Sequence, residues 1–362
     1  MYISRNTSIE EALEIEARDI SFINLRVNNE DTFRTDVVRG LAGGTKSLLP
    51  KYLYDKRGSE LFEQITLLPE YYLTRSEQSI MDAHAAEILT FADDSFWLAE
   101  LGAGSGKKTR ALLDVVHARR TNTRYLPIDI SNVFLRESAA ALQNDYPDIP
   151  VTAVCAEFLQ GIEYIAQERD AEERNAEERN NHASSTQLVV YFPGSTLGNL
   201  TREEQMHFLQ TLRQTLRSGD ALLLAADMSA ARAGNSHSKT APTLHAAYND
   251  AAGVTADFNL NILHRINREL DAAFPVEDYR HVAYYNSHEA RVELYLESTS
   301  YHSVWLDGYE IRVAAGERVH TEFSHKFDDA MITNMASLAE FEVRAAWHDA
   351  PHYFGVYWLH VA

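Results

Sequence analysis

The stretch Phe96 to Thr109, FWLAELGAGSGKKT, decides the fold. Phe96, Trp97, Leu98 and Ala99 form a continuous apolar run, the pattern of a strand buried on both faces of a parallel sheet. Thr109 to Val116 has helical spacing. Glu100, Gly102, Gly104 and Gly106 therefore fall on a turn from strand to helix. Glycine admits positive φ and lets a ligand approach the backbone closely, and the free N–H groups at a helix start favour negative charge. The expectation is a nucleotide-cofactor turn in an α/β domain.

The dinucleotide pattern G-x-G-x-x-G needs glycine at position 107, where this chain has Lys107. The order here is acid-x-G-x-G-x-G, which resembles the first motif of class I S-adenosylmethionine-dependent methyltransferases, whose turn wraps the methionine end of the cofactor. Working outward, Arg124 to Ile128 is a second apolar run. It ends at Asp129, where a carboxylate can accept both ribose hydroxyls. A third run, Ile149 to Val154, leads into Cys155, Ala156, Glu157 and Phe158, placing an acid and an aromatic where an adenine would lie. The fourth, Leu188 to Phe192, opens into Pro193, Gly194, Ser195, Thr196, Leu197, Gly198 and Asn199. Open α/β sheets bind ligands at such carboxyl strand ends.

A chain of 362 residues, 45% hydrophobic and 24% charged, is long for one domain and suits two. A net charge of -20 disfavours nucleic acid or an anionic membrane, because binding phosphate needs a basic surface. A small substrate is the better expectation. Cys155 is the single cysteine, which excludes internal disulfides and a cysteine zinc cluster. The N-terminal segment MYISRNTSIEEALEIEARD has early acids and no apolar core, and no run reaches transmembrane length. A soluble, cytoplasmic protein is expected.

Gln167 to Gln187 contains AEERN twice in tandem, at Ala171 to Asn175 and Ala176 to Asn180, and reads as a charged, solvent-exposed insertion over 167–187. Ser229 to Thr240, rich in Ala, Gly, Ser and Asn, follows an apparent fifth strand, Ala221 to Ala226, and reads as a linker. Tyr248 to Leu270 has a helical pattern. From His281 the chain alternates as strands do, and Phe341 to Trp347 and Phe354 to Val361 suit the final antiparallel pair of a seven-stranded sheet. The expected architecture is a class I Rossmann-like α/β methyltransferase domain with a mostly parallel seven-stranded sheet (78–236 and 327–362), plus a second, α+β substrate-binding domain (1–77 and 237–326).

Five separated strings carry a closer resemblance: YDKRGSELFEQITLLPEYYLTRSE at Tyr54 to Glu77, ELGAGSGKKT at Glu100 to Thr109, FPGSTLGNLT at Phe192 to Thr201, YNDAAGVTADFNLNIL at Tyr248 to Leu263 and TEFSHKF at Thr321 to Phe327. In this order and over most of the chain they resemble the histidine Nα-methyltransferases of ergothioneine biosynthesis. That resemblance implies S-adenosylmethionine as methyl donor, no metal, and three methyl transfers to the α-amine of L-histidine, through its mono- and dimethyl forms, to hercynine. It implies cofactor contacts at Glu100, Gly102, Gly104, Lys108, Asp129, Glu157 and Phe158. Most of the family has aspartate where Glu157 stands. It implies a substrate site at Tyr54, Tyr71, Gly194, Asn199, Tyr248, Leu294, Glu322 and Ser324, with Tyr54 and Asn199 closest to the chemistry, in a monomer.

Three alternatives stand beside it. A relative acting on another aromatic amino acid or amine would change the ring pocket, in which Leu294 replaces the methionine of some relatives. A hydrolase would use Gly194 to Gly198 as a nucleophile elbow with Thr196 as nucleophile. A non-catalytic cofactor-binding protein would lack one of the substrate contacts. The fifteen histidines form no persuasive metal set. His348 and His352 have helical ligand spacing, but Pro351 between them opposes a helix, and they read as surface or packing residues.

Overall fold

The computed structural model describes residues 20–26, 29–179, 185–229 and 239–362. Its frame is a sheet built from β1 (Ser21–Asn24), β2 (Ser95–Leu101), β3 (Asn122–Asp129), β4 (Thr152–Cys155), β5 (Gln187–Phe192) and β6 (Ala221–Asp227), joined by two C-terminal strands. Between them in the chain lie β7 (Tyr279–Asn286), β8 (Arg291–Ser298), β9 (His302–Leu306), β10 (Tyr309–Val313) and β11 (Arg318–His325), before β12 (Glu342–His348) and β13 (Phe354–His360) close the sheet. The spatial order is β1-β4-β3-β2-β5-β6-β13-β12. All neighbouring pairs are parallel except those of β13, which runs antiparallel to both β6 and β12. Setting β1 aside, this is the doubly wound order of a class I methyltransferase, with the chain reversing direction beside β2 at the turn the glycines occupy.

The sheet has eight strands where the sequence predicts seven. Ser21–Asn24 adds at the edge, pairing Ser21 with Thr152 through Asn24 with Cys155, although its position in the chain assigned it to the substrate-binding part. Four residues of mixed exposure carry no strand signal of their own; the open edge of β4 selects them.

The unbroken apolar runs follow from burial on two faces. Phe96 and Leu98 join one core with helices α3 (Tyr72–Ile88), α4 (Arg110–Arg119) and α5 (Asn132–Asp145), while Trp97, Ala99 and Leu101 join another with α6 (Phe158–Glu178), α7 (Arg202–Thr215) and α10 (Asp329–Leu338). The first core continues into the smaller unit: α1 (Asn29–Ala42), α2 (Lys56–Ile65), α8 (Ala241–Ala247) and α9 (Val254–Leu270) around the antiparallel sheet β11-β8-β7. Gly58 lets the start of α2 fold against the preceding turn: a Cβ there would stand 1.7 Å from the carbonyl oxygen of Leu53, and 3.2 Å from the Asn261 side-chain nitrogen on α9. Asp55 then caps α2 through the Gly58 amide (2.7 Å) and accepts from the Asn261 side chain (2.7 Å) on α9.

Two further readings of the sequence change. α9 begins at Val254, not Tyr248: the preceding turn places Gly253 at φ +78°, and Asp250 accepts from the Val254 and Thr255 amides at 2.9 and 2.8 Å. The segment expected as a solvent-exposed insertion over 167–187 is partly structural. α6 runs through it to Glu178, and Arg169, 1% exposed, donates to Asp220 at 2.7 Å. Glu173 pairs with Arg217 at 2.6 Å, and Gln187 is a buried residue of β5. A paired guanidinium takes the place of an apolar side chain, so no hydropathy signal marks it. Residues 180–184, and 230–238 of the expected linker, lie outside the described residues. Among the described residues no helix is long and apolar enough to cross a membrane.

Candidate active site

A cavity of about 420 Å³ opens at the carboxyl ends of β2, β3 and β5 and extends to β11, α2 and α9. Tyr54, Tyr71, Glu100, Gly102, Gly104, Lys108, Asp129, Glu157, Phe158, Gly194, Asn199, Tyr248, Leu294, Glu322 and Ser324 all line it. The folded chain therefore brings together every residue singled out for the two expected subsites.

At one end is the glycine turn. Gly102, Gly104 and Gly106 have φ of +67°, +53° and +65°, the left-handed region that disfavours any side chain. The Gly102 amide donates to the Ile128 carbonyl at 2.8 Å, and that of Gly104 to the Asp129 carboxylate at 3.1 Å. The Ser131 amide holds the other oxygen of Asp129 at 2.9 Å. Burial raises the pKa of Asp129 against these hydrogen bonds. The Phe158 ring lies over the turn, 3.6 Å from where a Gly102 Cβ would stand. Glu157 is half-exposed and pairs with Lys51 at 3.2 Å. Glu100 faces inward: the hydroxyls of Thr109 and Tyr125 both donate to its Oε2, tying β2 to the start of α4. Burial pushes its pKa up to about 7.

Glu77 of α3 holds the next portion. Fully buried, it accepts from the Lys108 ammonium at 2.6 Å, the Tyr191 hydroxyl at 2.8 Å and the Gly194 amide at 3.0 Å. Gly194 has φ +74°, and a Cβ there would press on the Lys108 Nζ at 3.3 Å. Asn199 ends the short 3-10 helix Thr196–Asn199 and is half-buried. The Thr196 hydroxyl, the nucleophile of the hydrolase alternative, instead donates to the Pro193 carbonyl at 2.8 Å.

The far end is aromatic. Tyr54 packs edge-on against Phe62 and Phe258 at 5.5 and 5.4 Å between ring centres, and Tyr71 against Tyr248 at 6.2 Å. Burial raises the phenol pKa of Tyr54, Tyr71 and Tyr248 well above its ordinary value, so all three are neutral. Between these rings β11 presents Glu322, 8% exposed, whose carboxyl has no hydrogen-bond partner among the described residues. Burial pushes its pKa up to about 7, only partly offset by the Lys326 ammonium. Ser324 shares a hydrogen bond of 2.7 Å with the Tyr248 hydroxyl.

Glu77, Lys326, Phe62 and Phe258 were not singled out from the sequence, although each sits inside one of the five strings; an acid in the helix after a Tyr-Tyr pair reads as solvated until the fold shows its partners. His348 and His352 stack on each other at 3.9 Å beside Asp329, away from the cavity. Both turn Nε2 toward the Asp329 carboxylate, at 2.9 and 3.6 Å, so the three ligand atoms cluster within 4.8 Å of one another, a grouping the sequence reading as surface or packing residues did not expect.

A family model described as "Histidine-specific methyltransferase, SAM-dependent" matches residues 33–361. The chain is similar to the histidine N-alpha-methyltransferase of Mycolicibacterium smegmatis, 39% identical over 90% of this chain and 94% of that one. Similarity to the histidine N-alpha-methyltransferase of Mycobacterium tuberculosis is 38% over 89% and 93%. The ergothioneine biosynthesis protein 1 of Neurospora crassa is 26% identical over 90% of this chain, which spans 34% of that longer protein. The sheet order, the glycine turn and these matches agree, and the chain belongs to the histidine-specific, S-adenosylmethionine-dependent methyltransferase family.

Proposed function

We propose that this protein methylates the α-amine of L-histidine three times with S-adenosylmethionine as donor, forming hercynine, the first step of ergothioneine biosynthesis. The observation that carries the reading is Glu322: a buried carboxyl, unpaired among the described residues, on the wall of a cavity whose other end is the glycine turn. Leaving such a group unsatisfied costs about 1–3 kcal/mol, and an imidazole N–H satisfies it where a phenyl ring does not.

The donor end fits a nucleoside with a charged amino-acid tail. Three left-handed glycines leave the turn without Cβ atoms, Asp129 offers its carboxylate, Phe158 a ring face, and Glu157 an acceptor. When bound, S-adenosylmethionine supplies an electrophilic methyl group on a sulfonium, already an excellent leaving group. What is left to the protein is placement. Asn199 holds the α-carboxylate, Glu322 and Ser324 read the imidazole, with the Tyr248 hydroxyl hydrogen-bonded to Ser324, and Tyr71 closes the ring pocket beside Leu294. Tyr54 faces the amine. As a neutral phenol of raised pKa it accepts a hydrogen bond from an amine N–H, which supports water as the group that carries the proton away. Gly194, clamped by Glu77, keeps the backbone of the β5 loop clear of the reacting amine. The enzyme on this reading is a cytoplasmic monomer acting on free histidine and its mono- and dimethyl forms, without a metal, nucleic acid or membrane.

Calorimetric titration into protein saturated with S-adenosylhomocysteine tests the pocket. L-Histidine is predicted to bind, with tryptophan and tyrosine at least tenfold weaker; heat from tryptophan or tyrosine but none from histidine contradicts the assignment of Glu322 and Ser324.

A further inference from the structure

Lys326 follows directly on β11 and is fully buried, yet it does not line the cavity. Its ammonium donates to the Asp227 carboxylate at 2.7 Å, to the Tyr248 hydroxyl at 2.8 Å and to the Ser324 hydroxyl at 2.7 Å. An ammonium has three N–H bonds, so all are spent. Asp227, the last residue of β6, is anchored in turn by the Tyr72 hydroxyl at 2.8 Å and by the buried ammonium of Lys239, which also reaches the Tyr353 carbonyl at 2.7 Å. Burial alone would raise the pKa of Asp227, but the two ammonium groups outweigh it and hold the carboxyl below its ordinary range. The ammonium is thus fixed from behind by an ionised partner that belongs to the methyltransferase sheet.

This arrangement dictates where the hydroxyl protons go. Each hydroxyl has one proton and two lone pairs. Lys326 occupies one lone pair on Tyr248 and one on Ser324, and the 2.7 Å contact between them consumes one further proton and one further lone pair. Of the two hydroxyl protons, one is left, and Lys326 cannot accept it, because an ammonium has no lone pair. The cavity that Tyr248 and Ser324 line is open to it.

We propose that Lys326 is a positioning and specificity residue: it polarises the Tyr248–Ser324 hydroxyl pair so that the pair presents a hydrogen-bond donor to the substrate ring, beside the acceptor Glu322 on the same face of β11. Donor and acceptor together match an imidazole, with one N–H and one bare nitrogen, and mismatch rings that have only one of the two. The inference rests on the histidine reading above and deepens it.

The test is a double-mutant cycle on histidine methylation with Lys326→Met, Ser324→Ala and the double variant, together with wild-type turnover of pyrrol-2-ylalanine and pyrrol-3-ylalanine. Those analogues keep one ring N–H and carry C–H where imidazole has its bare nitrogen. Each single variant is predicted to raise KM for histidine about tenfold, the worth of one hydrogen bond, with kcat within about threefold. The double variant is predicted to be no worse than the poorer single one, because both act through one donor. Wild type is predicted to prefer histidine to both analogues by about tenfold or more, and Lys326→Met to lose most of that preference. Multiplying effects in the double variant, or an undiminished preference in Lys326→Met, overturns the proposal. Where Lys326→Met does not fold, the wild-type comparison decides, and equal KM for histidine and either pyrrole overturns it. Wild type without any histidine turnover removes the histidine reading and this inference with it; histidine turnover without the predicted selectivity removes the inference only.

Discussion

The ammonium of Lys108 sits 2.6 Å from the carboxylate of Glu77, a fully buried acid that also accepts the Gly194 amide. Lys108 follows the glycine turn after β2, and Gly194 follows β5, so one carboxylate from α3 fixes both loops that frame the cavity. Its neighbour Tyr191 adds a third donor.

Replacing Glu77 by alanine leaves the Lys108 ammonium without its partner in a confined site. Removing one member of such a pair costs about 3–5 kcal/mol, and the lysine's residual exposure moves the expectation to the lower end. Chemical denaturation is predicted to show a loss of about 3 kcal/mol, and titration with S-adenosylhomocysteine a tenfold or larger loss of affinity, as both loops relax. Wild-type affinity in a stable Glu77→Ala protein would show that the clamp does not shape the donor site.

The glycines of the turn separate two effects. Alanine at 104 meets nothing nearer than 3.9 Å, so its cost is the left-handed backbone alone, about 1–2 kcal/mol, while its Cβ enters the cavity. Alanine at 106 suffers the same strain and stands 2.7 Å from the Leu142 Cδ1. Gly106→Ala is predicted to be the less stable variant, and Gly104→Ala to lose S-adenosylhomocysteine affinity out of proportion to its stability. The opposite ranking in thermal melts and titrations contradicts the cradle drawn here.

Glu322 predicts a pH effect of unusual sign. Its folded pKa, about 7, lies above the unfolded carboxyl value of 4.5, so its favourable contribution is present below 4.5 and is lost as pH rises through 7. Relative to Glu322→Gln, which does not titrate, the wild type is predicted to be equal near pH 5 and less stable at pH 8. The difference amounts to at most about 3 kcal/mol, from 1.36 kcal/mol per pKa unit, reduced by water in the open cavity. Denaturant midpoints of both proteins at the two pH values check this. The glutamine variant is predicted to gain stability at pH 8 while losing histidine affinity; parallel pH profiles contradict a buried, unpaired carboxyl.

Much of this was legible in the chain because the signals were local. The alternation acid-x-G-x-G-x-G needs left-handed backbone at Gly102, Gly104 and Gly106, and each has it. The continuous runs at Phe96 and Leu188 could only be strands covered on both sides. What was not legible depends on distant partners. Ser21–Asn24 becomes a strand only beside the edge of β4. Arg169 is buried only because Asp220, just before β6 and remote in the chain, accepts its hydrogen bond. Lys326 reads as one more charged residue until Asp227, remote in the chain, is seen to hold it. Among the candidate site residues, Glu100 shows the same limit: its motif position is plain, while the hydroxyls that hold it, Thr109 at the start of α4 and Tyr125 on β3, are not.

The central claim is tested most directly by mass spectrometry of a turnover mixture of the purified protein, L-histidine and S-adenosylmethionine. The account predicts consumption of three methyl equivalents per histidine and a final product heavier by three methyl groups, all on the α-nitrogen by fragmentation. Unmodified histidine beside a methylated aromatic amine from a mixed pool, or methylation on the imidazole ring, would contradict it.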